Sequence, residues 1–107
     1  MFEGILLKKY ASSLLGDGLK ILEKYLAERL NSENVWEAFI DEPYISYKIL
    51  KSFLGGGADA ILVLIFMKCF QDGVIDIEPR KLLKSIKSGE VKSLREVFKK
   101  SDYATIY

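Results

Sequence analysis

The sequence predicts an all-α fold, a compact bundle of five or six short helices around one central apolar helix. Two patterns and their punctuation carry that expectation. Leu15, Leu19, Leu22, Leu26 and Leu30 recur at steps of four, three, four and four, which stacks them on one helix face. Residues 58–70 are apolar apart from Asp59 and Lys68, a run longer than a typical strand. Glycines at 16, 18, 55–57, 73 and 89 and prolines at 43 and 79 mark the breaks between such segments.

The elements follow in order. Helices are expected over 2–14 and 17–30, broken near Gly16, because a glycine inside a helix costs about 1 kcal/mol relative to alanine. Ile21 and Tyr25 widen the leucine stripe, and Lys20, Glu23, Lys24, Glu28 and Arg29 take much of the rest. Residues 31–34 read as a loop leading to a cap, and 35–40 as a short apolar turn of helix. The next helix starts at Asp41-Glu42-Pro43, with proline near the first position where its missing N–H does no harm. Its inner face is expected to carry Ile45, Ile49 and Phe53, and Gly55-Gly56-Gly57 ends it.

Periodicity alone allows residues 61–66 to be a buried strand; the length of the apolar run favours helix over 58–70. Asp59 in its first turn and Lys68 in its last suit the helix dipole, and Gly73 stops it. Residues 74–78 read as an extended linker. Pro79 opens a helix to about Ser88, and a last helix is expected over 90–100 with Val91, Leu94 and Phe98 inward. Residues 101–107 read as a loose tail of a single domain spanning 1–107.

An internal similarity is visible. Residues 9–18 (KYASSLLGDG) align with 48–57 (KILKSFLGGG), and Leu19, Leu22 and Leu26 then match Ala58, Ile61 and Ile65, at an offset of 39. The physical reading is two helix–glycine–helix units packed against each other. Leu14-Leu15-Gly16-Asp17-Gly18 leading one helix, and Phe53-Leu54-Gly55-Gly56-Gly57-Ala58 leading a second, resemble the Nitrosopumilus output domain, a small archaeal family. The resemblance covers about residues 13–70 and rests on leucines and small residues. It implies a helical output or interaction module and carries no site residue across; residues 74–107 lie outside its pattern.

Composition narrows the chemistry. The chain has no histidine and one cysteine, Cys69, so a Ser-His or Cys-His pair, a His-ligated metal and an internal disulfide are all excluded. Cys69 lies in an apolar stretch and is expected to be a buried thiol. Gly55-x-Gly57-x-x-Ala60, with Asp76 beyond it, has dinucleotide-turn spacing but follows a helix where a strand is required. Asp72-Gly73 imitates a calcium loop, yet the register puts Lys68, Phe70 and Pro79 where oxygen ligands are needed. No catalytic residue, metal or cofactor is therefore expected. The longest apolar run, 60–67, makes about 12 Å of helix against the ~30 Å of a bilayer core, and no secretory leader is visible at the start; the expected compartment is cytoplasmic. One Gln, two Asn and no His beside abundant Lys, Glu, Ile and Tyr match the bias of hyperthermophile proteins.

Charge is unevenly spread. Residues 1–78 carry 8 basic and 12 acidic groups, net −4, whereas 79–107 carry 8 basic and 3 acidic, net +5. Arg80, Lys81, Lys84, Lys87, Lys92, Arg95, Lys99 and Lys100 are the candidate partner-binding residues. Residues 31–47 hold Glu33, Glu37, Asp41 and Glu42 with no basic group. The basic residues can be a solvated face, a match for an acidic protein surface including this chain's own acidic segment, or a nucleic-acid contact. A helix-turn-helix centred on Gly89 fails, since its buried positions fall on Lys84, Glu90 and Arg95. The function expected is a non-enzymatic interaction or regulatory module, with a nucleic-acid-associated factor as the alternative. Six Tyr, six Phe and one Trp are many for a small core, which favours a homodimer.

Overall fold

A computed structural model describes residues 2–99, which form six α-helices and one 3-10 turn. These are α1 (Phe2–Leu15), α2 (Gly18–Leu30), α3 (Val35–Asp41), α4 (Pro43–Leu54), α5 (Gly57–Gln71), α6 (Pro79–Lys87) and the turn Leu94–Glu96. The architecture is the expected all-α bundle, and the long apolar run is helix. The tail at 101–107 and Lys100 lie outside the described residues.

The two glycine turns are built alike. Gly16 (φ +54°) and Gly55 (φ +59°) occupy the left-handed region that favours glycine. Gly16 N–H donates to Ser12 O at 3.1 Å and Gly55 N–H to Lys51 O at 2.7 Å. Their carbonyls accept from Leu19 and Ala58 at 3.2 and 3.1 Å. The residues that follow, Asp17 (φ −66°, ψ −22°) and Gly56 (φ −62°, ψ −20°), share one conformation. Every pairing repeats at the 39-residue offset. The hairpins α1–α2 and α4–α5 also face each other reciprocally, α1 against α5 and α2 against α4. Exchanging the two units exchanges one contact for the other, the pattern of an approximate twofold.

Asn34 starts α3, its Oδ1 accepting the Glu37 N–H at 3.1 Å. This short helix packs against α1, α2 and α4 and buries Val35, Trp36, Phe39 and Ile40. Gly4 makes its approach to α1 possible: a Cβ there would meet the Glu37 carboxylate, and the Glu37 N and Cα at 3.1 and 3.2 Å. α6 packs on α5 and α4, held at its start by the Glu78 carboxylate, which accepts the Arg80 and Lys81 N–H groups at 3.2 Å each. Pro79, Leu82, Leu83 and Ile86 form its buried side. Leu7, Leu26, Phe39, Ile40, Leu62, Ile65 and Phe66 make up the centre of the core.

Three expectations need correction. α4 buries Pro43, Ser46, Tyr47 and Leu50, while Ile45 and Phe53 are exposed. Neighbours on several sides of α4 select the face, and Ser46 is tolerated because its Oγ donates to Ala38 O at 3.4 Å. Phe53 stacks instead on Tyr25 at the surface, ring centroids 4.3 Å apart. Ile21 is 65% exposed and widens no buried stripe. The expected helix over 90–100 is an irregular segment carrying only the 3-10 turn through residue 99. Gly89 (φ +80°) turns the chain, and Ser93 is extended (φ −152°, ψ 138°) with its Oγ accepting the Arg95 N–H at 3.1 Å. Leu94 and Phe98 are buried as expected, and Val91 is partly buried.

Candidate partner-binding surface

The eight basic candidates do not form one surface. Arg95 turns inward: its Nη1 donates to Glu3 Oε1 at 2.9 Å, its Nε to Asp41 Oδ1 at 2.8 Å, and its Nη2 to a Glu37 carboxylate oxygen. Glu37 and Asp41 lie one turn apart on α3, a spacing that sets both carboxylates on one side. Glu3 comes from the first turn of α1 and is buried. Burial acts to raise the Glu3 pKa; the bond from its own backbone N–H, the charge of the N-terminus and Arg95 outweigh it and hold the carboxyl below the ordinary 4.5. Ser93 Oγ donates to Ile40 O at 3.2 Å beside this cluster. The segment after Gly89 is thus fastened to α3 and the start of α1.

Lys87 is exposed, yet it too is paired within the chain. Its Nζ sits 2.8 Å from Asp59 Oδ2, while Tyr47 OH donates to Asp59 Oδ1 at 2.6 Å and Lys51 Nζ lies 3.9 Å away. The Lys87 and Tyr47 hydrogen bonds hold the Asp59 carboxyl below 3.8, and Asp59 in turn raises Lys87 above 10.5. Lys99 is the third paired member. Its Nζ meets Asp76 Oδ1 at 2.7 Å and its N–H donates to Val74 O at 2.8 Å. Lys100 lies outside the described residues.

Arg80, Lys81, Lys84 and Lys92 remain exposed, with no ion pair among the described residues. The first three share the outward side of α6, opposite its four buried side chains, since positions 80, 81 and 84 recur within one turn. Lys92 borders a shallow recess of about 210 Å³ with Tyr44, Ile45 and Val91, at the junction of α4 and the segment after α6.

Two other features escaped sequence reasoning. A groove of about 570 Å³ is lined by Ile5, Lys8, Glu23, Lys24 and Trp36 among others, and Trp36 Nε1 donates to Glu23 Oε2 at 2.6 Å within it. The exposed side of α5 carries Leu64 and Met67. Neither announces itself in one dimension, because both depend on which helix faces which neighbour fails to cover.

Cys69 is buried, and desolvation, reinforced by the Asp72 charge, pushes its thiol up to about 12. Burial and the 2.6 Å hydrogen bond to Asp72 raise the Tyr10 hydroxyl well above its ordinary value of 10.0. Among the described residues no group of three or more His, Cys, Asp or Glu could hold a metal ion, and the Glu3, Glu37 and Asp41 carboxylates surround a guanidinium. No described helix is long and apolar enough to cross a membrane. Comparison with family models, curated proteins and solved structures finds no match to this chain.

Proposed function

We propose that this chain is a non-enzymatic interaction module that presents the outward side of α6 to an acidic surface on a protein partner. One observation carries the reading: Arg80, Lys81 and Lys84 stand exposed on one helix face, without an ion pair among the described residues, while Lys87, Arg95 and Lys99 are engaged by carboxylates of the same chain. α6 is anchored through its buried side, Pro79, Leu82, Leu83 and Ile86, and presents these three side chains outward; charge complementarity of this kind favours specificity and fast encounter over raw affinity. The amide-poor composition supports a thermophilic source, and the paired glycine turns support kinship with the archaeal output domains. Nucleic acid is the competing ligand, and the loss of three cations to internal pairs weighs against it.

Titration of fluorescein-labelled poly-glutamate, duplex DNA and single-stranded RNA at physiological salt tests the reading. Poly-glutamate is expected to bind, and the triple change Arg80→Glu, Lys81→Glu, Lys84→Glu to weaken it at least about tenfold, since each exposed pair contributes roughly 0.2–1 kcal/mol and reversal adds repulsion. Binding of DNA or RNA that the same triple change abolishes would overturn it in favour of the nucleic-acid factor. So would poly-glutamate binding indifferent to those three residues.

A further inference from the structure

Between Ala60 and Met67, α5 has no polar side chain on any side, and a helix of that kind is normally enclosed. α1, α4 and α6 pack against it. The side left over carries Ala60, Leu64, Met67 and Gln71 at steps of four, three and four, all of them exposed, with Leu64 at 45% and Met67 at 38%.

The internal repeat supplies a comparison within the same molecule. α2 is the counterpart of α5, and at the 39-residue offset Ala60, Leu64, Met67 and Gln71 correspond to Ile21, Tyr25, Glu28 and Ser32. Lys24 and Glu28 are exposed, and Arg29 covers the Tyr25 ring at 4.0 Å. The equivalent side of α2 thus keeps one exposed apolar residue, Ile21, beside the charged Glu28, whereas on α5 Leu64 and Met67 stand exposed with no charged residue from 60 to 67. Helix propensity does not require the difference, since Lys and Glu form helices about as readily as Leu and Met.

We propose that this side of α5 is a homodimer interface, α5 packing antiparallel on α5 of a second copy with Leu64 beside the twofold axis. The size pattern is self-complementary. A twofold centred between Val63 and Leu64 sets the small Ala60 of each copy opposite the long Met67 of the other. Charge agrees, because no ionisable side chain occurs from 60 to 67 and an isologous contact brings no like charges together. Area sets the strength. Residues 60–71 run about 16 Å, and with flanking side chains of α1 and α6 a helix face of that length offers roughly 450 Å² per copy, about half of a standard partner surface. A contact of that size falls in the weak, transient class of interfaces. It stands apart from the acidic-partner reading, and either can fail alone.

Sedimentation velocity of the full chain from about 1 to 500 µM is expected to show a reversible monomer–dimer equilibrium. Leu64→Glu or Met67→Glu should raise the Kd at least about tenfold with the helical circular dichroism unchanged, and Ile21→Glu, on the solvated side of α2, should leave it alone. Register is read separately: Leu64→Cys should form an intermolecular disulfide under mild oxidation and Ile21→Cys should not, with the buried Cys69 taking no part. A monomer throughout that range overturns the proposal, as does a dimer that survives Leu64→Glu or cross-links equally through Ile21→Cys. Should Leu64→Glu lose helicity, the cysteine pair decides the matter.

Discussion

Replacing Arg95 by alanine probes how the C-terminal segment is held. The guanidinium donates to Asp41 at 2.8 Å, to Glu3 at 2.9 Å and to Glu37, and a hydrogen bond to a charged group contributes about 1.5–3 kcal/mol net. The Asp41 side chain is 52% exposed and that of Arg95 32%, so solvent screens that pair and it adds little. Glu3, 6% exposed, and Glu37, 21% exposed, lie where screening is weaker. The expected loss is about 3 kcal/mol, similar to breaking a buried ion pair. Arg95→Lys should lose about 1–2 kcal/mol, because an ammonium keeps the charge and cannot reach three carboxylates at once. Urea unfolding followed by circular dichroism at pH 7 measures both, with the exposed Lys84→Ala within about 0.5 kcal/mol of the parent. Acid adds a second readout. The Glu3 pKa lies below 4.5 in the folded protein and returns towards it on unfolding, so its contribution is complete above pH 4.5 and disappears as pH falls through the folded value. Arg95 is the smallest of the influences that lower Glu3, so Arg95→Ala should reduce that part of the pH dependence only slightly. An Arg95→Ala protein as stable as Lys84→Ala would refute the inward fastening of this segment.

Other substitutions give contrasting signs. Gly4→Ala should destabilise by about 1–3 kcal/mol through overpacking against the Glu37 backbone at 3.1–3.2 Å, against the gain alanine brings to an open helix interior; thermal melting checks it. Gly16→Ala should cost about 1–2 kcal/mol because φ is +54° there, whereas Gly18→Ala, with nothing within 4 Å of the added Cβ and no positive φ, should be neutral or gain up to about 1 kcal/mol. The same melting experiment separates them. Cys69, buried and with its thiol pushed up to about 12, should react with a disulfide-exchange reagent at pH 8 only after denaturation; rapid reaction of the native protein would contradict its burial.

The helices were legible because their signals are local. Leucine spacing, proline at the start of α4 and α6, and glycine at the turns act over a few residues, and the elements they predict through α6 match the structure to within two or three positions at each end. The glycine turns show the same locality twice, since one short pattern at two places gives one hydrogen-bonded geometry. The errors arose where several neighbours compete. Ile45, Ile49 and Phe53 form an apolar stripe, but α4 touches helices on more than one side, and the buried set became Pro43, Ser46, Tyr47 and Leu50. The segment after Gly89 has helical spacing at Leu94 and Phe98, and both are buried. Tethers to Ile40, Asp41 and Val74 hold it as an irregular strap, contacts made with chain far upstream.

The basic residues illustrate the same limit in the candidate site. Their number was plain from the sequence, and the acidic stretch 31–47 was visible as a possible match. The division between paired and unpaired members was not, because Arg95 reaches Glu3 across 92 positions and Asp41 across 54, separations that no window along the chain samples. That division has a quantitative consequence. With Lys87, Arg95 and Lys99 neutralised by Asp59, Glu3 and Asp76 among others, the described C-terminal cations left for a ligand are Arg80, Lys81, Lys84 and Lys92. If all four met phosphates of a duplex, log K would fall with log salt at a slope of about −3.6. Counting the three paired residues as well would make it about −6.3. A measured slope near the steeper value would mean that the internal pairs open on binding, and a slope near zero with retained affinity would mean that these side chains are not the contact at all.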